Sequence, residues 1–294
     1  MLIKNFSPRP YQLNIIKTCK EKNTLVCIPT GLGKTKIGIL LTIERLNEFP
    51  NSKTIILTPT RPLANQIFNE FKECTDIEKE KIVLLTGKIS PNKRKEIYET
   101  SLVIVATPQT IEEDVENNRL NLENISLLII DEAHRSREKF ANTIVAREYI
   151  KKAKNQRVLG LTASPGSTKA KIEEICTNLN IEAVEIRSEQ DSDVAEFVQD
   201  KQAEYIYLEL PQELKDIHAI IKEYYKSKLE NIKSFNISKP ASQITKIDLL
   251  NLQFRLQRDI KQKNSSAFYG LFPVAQLLKV SHALEMLETQ GLSS

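Results

Sequence analysis

Residues 25–35 read Leu-Val-Cys-Ile-Pro-Thr-Gly-Leu-Gly-Lys-Thr, an apolar run followed at once by a glycine-rich turn. The run at 25–28 predicts a short buried strand, and the turn predicts the start of a helix. Gly31 and Gly33 allow the main chain to bring several N–H groups towards one point, which is how a loop binds phosphate oxygens. We therefore expect a phosphate-binding loop between a strand and a helix.

The other residues of this loop suit a nucleoside triphosphate such as ATP, bound together with Mg²⁺. Lys34 offers an ammonium group to the β and γ oxygens, and Thr35 offers a hydroxyl ligand to Mg²⁺. The positive end of the following helix also favours phosphate. The usual P-loop pattern has a glycine five residues before Gly33, whereas this chain has Ile28. The predicted binding residues of the loop are Thr30, Gly31, Leu32, Gly33, Lys34 and Thr35.

A second motif, Asp131-Glu132-Ala133-His134, directly follows the apolar run 127–130. Such a run predicts a buried parallel strand, so the acidic pair lies at the end of a strand, where α/β sheets bind ligands. Asp131 can hold Mg²⁺, and Glu132 can orient and deprotonate the water that attacks the γ-phosphate. We therefore predict Lys34, Asp131 and Glu132 as catalytic residues, with Thr35 and Asp131 as metal ligands.

The first two hundred residues alternate short apolar runs with helical stretches, which predicts an α/β fold with a doubly wound parallel sheet. A further strand is expected at residues 205–210. After Pro211 the pattern becomes helical only, which predicts a smaller all-helical domain of about three helices. The predicted strands lie near 24–28, 54–58, 82–86, 102–106, 127–131 and 158–162, and the predicted C-terminal helices lie near 211–234, 244–263 and 266–290.

Composition places the chain among globular proteins. Its 294 residues are 40% hydrophobic and 27% charged, and the net charge is +4. The whole positive excess falls after residue 210, so binding to nucleic acid depends on local placement of charge. No apolar run is long enough for a membrane helix and no signal peptide is evident, so we expect a cytoplasmic, nucleoid-associated protein, which would be nuclear in a eukaryote. Four scattered cysteines predict free thiols and no zinc site.

The phosphate loop of this chain resembles that of the superfamily-two helicases, which has the form Pro-Thr-Gly-x-Gly-Lys-Thr. Further short segments resemble other motifs of these helicases in the same order and with similar spacing. The sequence in and around these motifs, together with the helical C-terminal part, resembles the DEAH-box family of archaeal Hef and the Fanconi anaemia M translocase. That resemblance spans nearly the whole chain and implies a RecA-like lobe that acts on DNA with ATP. The matching segments are 9–12, 58–66, 86–87, 106–110, 131–134 and 161–165.

The resemblance also implies residue roles. It implies that Arg9 packs against adenine and that Gln12 hydrogen-bonds the edge of the base. It implies that His134, Thr162 and Ser164 couple the binding and hydrolysis of ATP to the binding of nucleic acid. The residues that it implies for gripping the phosphodiester backbone are Thr60, Arg61, Thr86, Gly87, Thr107 and Gln109.

The same resemblance implies a domain organisation. Residues 1–202 form RecA-like helicase lobe 1, residues 203–294 form a connecting strand and part of a helical insert domain, and the second RecA-like lobe is absent. Arg255 and Arg258 have the spacing of an arginine finger, but they lie in a helical pattern and are rejected as one. We therefore expect slow or no ATP turnover from this chain unless a longer protein or a separate chain supplies the second lobe.

Three functions remain open from sequence. The first is an ATP-dependent DNA helicase or translocase acting on forked or branched DNA in repair. The second is a double-stranded RNA-dependent ATPase of the Dicer and RNA-sensor type, because those proteins share both the lobe and the insert. The third is a non-hydrolysing nucleic-acid-binding module. Basic residues of the C-terminal helices either bind nucleic acid or form a solvated face; these are Lys226, Lys228, Lys233, Arg255, Arg258, Lys261 and Lys263.

Overall fold

The computed structural model describes residues 1–164, 168–198, 207, 209, 211–232, 235, 239, 244–261 and 266–291. The chain divides into two compact units, Met1–Lys201 and Gln202–Ser294. The identification of the second unit as a partial helical insert, and the expectation of a missing second lobe, stay predictions. Lys233, Lys263 and most of the strand expected at 205–210 lie outside the described residues.

The first unit is built on seven strands: β1 (Thr24–Cys27), β2 (Lys53–Leu57), β3 (Ile82–Leu85), β4 (Val103–Ala106), β5 (Ile125–Asp131), β6 (Val158–Thr162) and β7 (Ala183–Ile186). They form one sheet in the order β3-β4-β2-β5-β6-β1-β7. Every neighbouring pair is parallel. The predicted doubly wound, RecA-like parallel sheet is therefore confirmed, and all carboxyl ends of its strands lie along one edge.

Helices cover both faces of this sheet, and each face has its own hydrophobic cluster. Leu127 and Ile129 of β5 belong to one cluster, while Leu128 and Ile130 belong to the other. Alternating side chains of one strand are thus buried on opposite faces, which explains the continuous apolar run in the sequence. The helices are α1 (Pro10–Glu21), α2 (Lys34–Glu48), α3 (Arg61–Cys74), α4 (Pro91–Thr100), α5 (Pro108–Glu116), α6 (Ala141–Lys152) and α7 (Lys169–Leu179).

Strand β7 corrects the expectation of six strands in this part of the chain. It pairs with β1 at the edge of the sheet, where Thr24 lies opposite Ala183 and Cys27 opposite Ile186. Its side chains alternate between exposed and half-buried positions. A four-residue edge strand with one covered face carries no continuous apolar run, and it is therefore hard to distinguish from a loop by sequence pattern.

The second unit contains three described helices, α8 (Gln212–Ile232), α9 (Lys246–Lys261) and α10 (Ser266–Gln290). They follow the predicted helices to within a few residues. Their shared core includes Leu229, Leu249, Leu252 and Val274. Among the helices of the described residues, none is both long enough and apolar enough to cross a membrane.

Candidate nucleotide and nucleic-acid site

The predicted phosphate loop joins β1 to α2, and two of its glycines have backbone angles that favour glycine. Gly31 has φ +84° and Gly33 has φ +74°. A Cβ atom on Gly33 would also lie 2.7 Å from Nε2 of Gln12, whereas one on Gly31 would meet nothing within 4 Å. The backbone conformation of Gly33 therefore favours glycine, and a Cβ atom there would also displace the Gln12 amide.

Lys34 begins α2, and its Nζ atom donates a hydrogen bond to the carbonyl of Ile28, 3.2 Å away. Burial lowers the pKa of the Lys34 ammonium, and the charges of Glu132 and Asp131 act in the opposite direction. The fold therefore brings the three predicted catalytic residues into one electrostatic neighbourhood. Thr35 lies half-buried in the first turn of α2.

Strand β5 ends at Asp131, and the next residue, Glu132, has the left-handed conformation φ +51°, ψ +47°. A non-glycine residue in this region carries backbone strain, which is frequent at functional sites. Burial, reinforced by the negative charge of Glu132, raises the pKa of Asp131 to about 6. Asp131 and Glu132 are both half-buried at the end of the strand.

The donor atoms fit Mg²⁺ bound together with a phosphate chain. The Thr35 hydroxyl and the Asp131 carboxylate are hard oxygen ligands, and Mg²⁺ usually takes only one or two protein carboxylates and fills its shell with water and phosphate oxygens. Among the described residues, no group of three histidine, cysteine, aspartate or glutamate side chains is arranged to hold a metal without a substrate. Thr35 and Asp131 would hold the ion, which would supply positive charge to neutralise the phosphates.

His134 connects the acidic motif to the end of β6. Its Nδ1 atom lies 3.0 Å from Thr162 Oγ1 and 3.2 Å from Glu132 Oε2. The Thr162 hydroxyl donates its hydrogen to the carbonyl of Ser164, 2.9 Å away, so its oxygen acts as an acceptor towards His134. This pattern assigns the ring proton to Nδ1. The three predicted coupling residues are therefore joined in one hydrogen-bond network.

The two residues predicted to bind adenine lie beside the phosphate loop. The Gln12 side chain is almost fully buried. Its Oε1 atom accepts from the backbone N–H of Arg9 at 2.9 Å, and its Nε2 atom lies 3.4 Å from the carbonyl of Gly33. The Arg9 guanidinium stacks over the ring of Phe197, 4.8 Å from its centroid. Phe197 was missed from sequence because nothing local connects it with Arg9.

The residues predicted to grip nucleic acid lie at the ends of β2, β3 and β4, which are adjacent in the sheet. Arg61 and Gln109 are exposed in the first turns of α3 and α5. A Cβ atom on Gly87 would lie 3.8 Å from Nη2 of Arg61, so the loops after β2 and β3 approach one another. The sheet order thus separates these loops from the nucleotide residues after β1, β5 and β6.

The threonines of this group have local structural roles. Thr60 is the N-cap of α3, and its Oγ1 atom accepts from the N–H of Leu63 at 3.4 Å. Thr107 precedes α5, and its hydroxyl lies 2.9 Å from that of Thr110. Thr86, after β3, is nearly buried. Helix capping accounts for Thr60, and a helix N-terminus at the same place also offers N–H groups to a phosphate.

A buried ionic network beneath these loops was not predicted. Arg94 of α4 bonds both oxygens of Asp114 of α5, with its Nε atom 2.6 Å from Oδ2 and its Nη2 atom 2.7 Å from Oδ1. The Tyr98 hydroxyl also donates to Asp114 Oδ2 at 2.6 Å. Arg94 and Asp114 are 2% and 0% exposed, respectively, so the pair fixes α4, after β3, against α5, after β4.

Arg255 and Arg258 lie within helix α9. Arg255 donates to the backbone carbonyl of Phe235. A helical position of this kind agrees with the sequence argument, which rejects the two residues as an arginine finger.

Comparisons with known proteins identify the family. The profile of the DEAD/DEAH box helicases matches residues 9–172. A second profile, for the helical bundle of an ATP-dependent RNA helicase, matches residues 213–294. The first match covers more than half of the chain and includes both the phosphate loop and the acidic motif.

Individual relatives agree with this match. A protein of Methanocaldococcus jannaschii that is named as an ATP-dependent RNA helicase is 39% identical over 99% of this chain and 36% of its own length. The ATP-dependent DNA helicase fml1 of Schizosaccharomyces pombe is 36% identical over 72% of this chain and 26% of its own length. The chain thus spans about a third or less of these curated relatives.

Among solved structures, the crystal structure of the Pyrococcus furiosus Hef helicase domain matches with a TM-score of 0.71 and 39% identity, over 96% of this chain and 59% of that one. The predicted likeness to Hef and Fanconi anaemia M helicases is confirmed. With its parallel sheet, its phosphate loop and its Asp-Glu-Ala-His motif, this chain belongs to the DEAD/DEAH box helicase family.

Proposed function

We propose that this chain is the ATP- and DNA-binding portion of an ATP-dependent helicase or translocase that acts on forked or branched DNA. The observation that carries the proposal is the neighbourhood of Lys34, Asp131 and Glu132 at the carboxyl edge of the sheet, where the ammonium and the two carboxylates influence one another electrostatically. A protein that only binds nucleic acid has no chemical need for this combination.

In the proposed reaction, the loop N–H groups and Lys34 bind the β- and γ-phosphates of ATP. Thr35 and Asp131 would hold the Mg²⁺ that accompanies the phosphates. Glu132 orients the attacking water and accepts its proton, while the Nδ1–H group of His134 fixes the Glu132 carboxylate at 3.2 Å. Gln12 and Arg9 contact the adenine base. Every step assigned to the protein is therefore binding, orientation or proton transfer.

The coupling to nucleic acid is proposed to run through Thr162 and Ser164. Because His134 contacts both Glu132 and Thr162, a change at the γ-phosphate reaches the end of β6. The exposed residues after β2, β3 and β4, chiefly Arg61 and Gln109, contact the phosphodiester backbone. Such contacts position a strand without reading its sequence.

The proposal for DNA rests on likeness to the helicase domain of Hef and to the DNA helicase fml1. The double-stranded RNA alternative is favoured by one observation, the name of the Methanocaldococcus jannaschii relative. Proteins distinguish RNA from DNA chiefly through the 2′-hydroxyl, so direct competition between the two nucleic acids decides the question.

We also propose that residues 1–294 turn over ATP slowly on their own. In comparable enzymes an arginine from a second protein element neutralises the charge that develops on the γ-phosphate, and it accelerates hydrolysis by about three to five decades. The site in the first unit brings together one lysine and two carboxylates, and we assign the arginine to the second RecA-like lobe.

The test is ATP turnover and ATP binding by this chain with forked DNA, with duplex RNA and without nucleic acid. Lys34→Ala should abolish ATP binding, and Glu132→Gln should preserve binding while abolishing turnover. Glu123→Gln is the matched control, because this exposed glutamate pairs with Lys154 at the opposite edge of the sheet.

Stimulation by forked DNA supports the proposed function. Stimulation by RNA alone would replace the DNA assignment with the RNA alternative. ATP binding that depends on Lys34, with slow turnover that forked DNA does not stimulate, would support the nucleotide site but not DNA coupling. Binding of nucleic acid without any binding of ATP would leave the non-hydrolysing module as the function.

A further inference from the structure

The segment that follows β7 ends in a short 3-10 turn, Ala195–Phe197. Its position is fixed by an ion pair between Arg187 Nε and Asp193 Oδ2, 3.1 Å apart, and by Val194, whose side chain is completely buried. Phe197 packs against the same hydrophobic cluster as Val194. The aromatic ring is therefore held in place and brought next to α1, although more than 170 residues separate it from the end of that helix.

Phe197 contacts two residues at the start of α1. The Arg9 guanidinium carbon lies 4.8 Å from the centroid of the Phe197 ring, and the Tyr11 ring centroid lies 5.8 Å from it at a tilt of 58°. Arg9 Nη1 also donates to the Tyr11 hydroxyl at 3.2 Å. Two contacts thus orient Arg9: its guanidinium lies over the Phe197 ring, and its Nη1 atom bonds the Tyr11 hydroxyl.

Tyr11 extends this arrangement to the phosphate loop. Its side chain is completely buried, and its hydroxyl donates to the carbonyl of Leu32 at 2.5 Å. Leu32 lies between the two loop glycines, Gly31 and Gly33. One run of contacts, Phe197 to Tyr11 to Leu32, therefore links the 3-10 turn with the loop that binds phosphate.

We propose that Phe197 is a positioning residue for the base of the bound nucleotide. By stacking on one face of the Arg9 guanidinium, it presents the opposite face as a flat, rigid surface for a planar purine base. A long flexible arginine otherwise loses conformational entropy on binding, and the aromatic ring reduces that cost in advance. This inference rests on the proposed ATP site, which it deepens.

The experiment measures the affinity of Mg·ATP and of Mg·tripolyphosphate, which lacks the base and ribose, for the parent chain and for Phe197→Leu. We expect the variant to bind ATP about fivefold more weakly, because it loses the cation–π contact that orients Arg9. Tripolyphosphate affinity should stay within about twofold, since the loop N–H groups and Lys34 are unchanged. Phe197→Tyr, which keeps the aromatic face, should restore the affinity for ATP.

Phe68→Leu is the matched control. Phe68 is a partly buried aromatic of the same cluster that carries its own cation–π contact, with Lys72 Nζ 4.1 Å from the ring centroid, and it lies on α3 away from Arg9. This variant should bind both ligands like the parent chain. The double variant Arg9→Ala with Phe197→Leu should bind ATP no more weakly than Arg9→Ala alone, because Phe197 acts through Arg9.

Equal loss of ATP and tripolyphosphate affinity in Phe197→Leu would overturn the inference and indicate general destabilisation of the unit. Unchanged ATP affinity would overturn it as well. If the parent chain binds ATP no more tightly than tripolyphosphate, the base contributes no affinity. That result would refute the role of Phe197 but leave the phosphate site of the proposed function intact. A parent chain that binds neither ligand would refute both.

Discussion

His134 Nδ1 lies 3.0 Å from Thr162 Oγ1, and this contact joins the Asp-Glu-Ala-His motif at the end of β5 to the segment that follows β6. Because Thr162 uses its only hydroxyl hydrogen to bond the carbonyl of Ser164, His134 must be the donor. The same Nδ1 atom lies 3.2 Å from Glu132 Oε2. The predicted catalytic carboxylate of Glu132 and the predicted coupling residue Thr162 therefore share one imidazole proton.

The first prediction concerns the tautomers of two histidines. Neutral His134 should carry its proton on Nδ1, since Thr162 and Glu132 both accept from that atom. His218 should carry its proton on Nε2, because that atom lies 2.8 Å from Glu288 Oε1. Nitrogen chemical shifts of the neutral rings distinguish the two forms. An Nε2–H form of His134 would contradict the network, with His218 as the internal reference.

A second prediction separates two effects at the loop glycines. Gly31→Ala and Gly33→Ala each place a Cβ on a residue with positive φ, which costs roughly 1 to 2 kcal/mol of unfolding free energy. Gly33→Ala should cost more, because its Cβ would lie 2.7 Å from Gln12 Nε2. Urea unfolding of the nucleotide-free chain measures both.

The Gln12→Ala and Gly33→Ala double variant completes this test. Removing the Gln12 side chain should cancel the extra cost at Gly33, so the two substitutions should be non-additive. Gly31→Ala combined with Gln12→Ala should be additive, because a Cβ on Gly31 would meet nothing within 4 Å. Additivity in both pairs would show that Gln12 imposes no constraint on Gly33.

The third prediction concerns the buried pair Arg94 and Asp114. Asp114→Asn should lower the unfolding free energy by about 3 kcal/mol, because it leaves the Arg94 guanidinium buried without its counter-charge. Glu113→Gln is the control: its carboxylate also contacts Arg94 but is half-exposed, so the loss should stay below about 1 kcal/mol. Equal losses would show that burial of the pair does not determine its strength.

The pH dependence of stability follows from the same pair. Burial alone would raise the pKa of Asp114, but hydrogen bonds from Arg94, Tyr98 and Arg119 outweigh it, so the pKa lies below its ordinary value. A depressed folded-state pKa stabilises the fold above the unfolded pKa of about 4, and that contribution is lost as the pH falls through the folded value. The parent chain should therefore lose stability below about pH 4 more steeply than Asp114→Asn.

The fourth prediction concerns the loops after β2 and β3. Arg61→Gln should weaken binding of forked DNA several-fold. The slope of log affinity against log salt concentration should also fall in magnitude by about 1, as expected for the loss of one phosphate contact. Lys154→Gln is a matched charge removal at the opposite edge of the sheet, where Lys154 pairs with Glu123, and it should leave affinity unchanged. Equal effects of the two variants would indicate that only net charge matters.

Much of the fold follows from local pattern. The runs at 25–28 and 127–130 are apolar throughout because their alternating side chains are buried on opposite faces of one sheet, and a glycine-rich or acidic segment follows each run. Since the carboxyl ends of parallel strands share an edge, the sequence alone places Lys34 and Asp131 at the same edge. The three C-terminal helices are predicted by the loss of the strand–helix alternation after Pro211 and by helix start and end signals.

Other features depend on contacts between residues that are distant in the chain. Strand β7 exists because its backbone pairs with β1, and its four residues carry little signal of their own. From the sequence alone, Arg94 and Asp114 are expected to be surface charges. Only the packing of α4 against α5 shows that they are buried.

By itself, the sequence determined the glycine-rich loop, the acidic motif and the apolar runs of the central strands, because each is encoded by residues that are neighbours in the chain. Only the tertiary structure decided that Phe197 stacks on Arg9 and that His134 joins Glu132 to Thr162. Those contacts depend on strand order and on the path of the chain after β7. The strand order and the path of the chain after β7 are set by the packing of the whole unit. The local conformational preferences of these residues do not determine them.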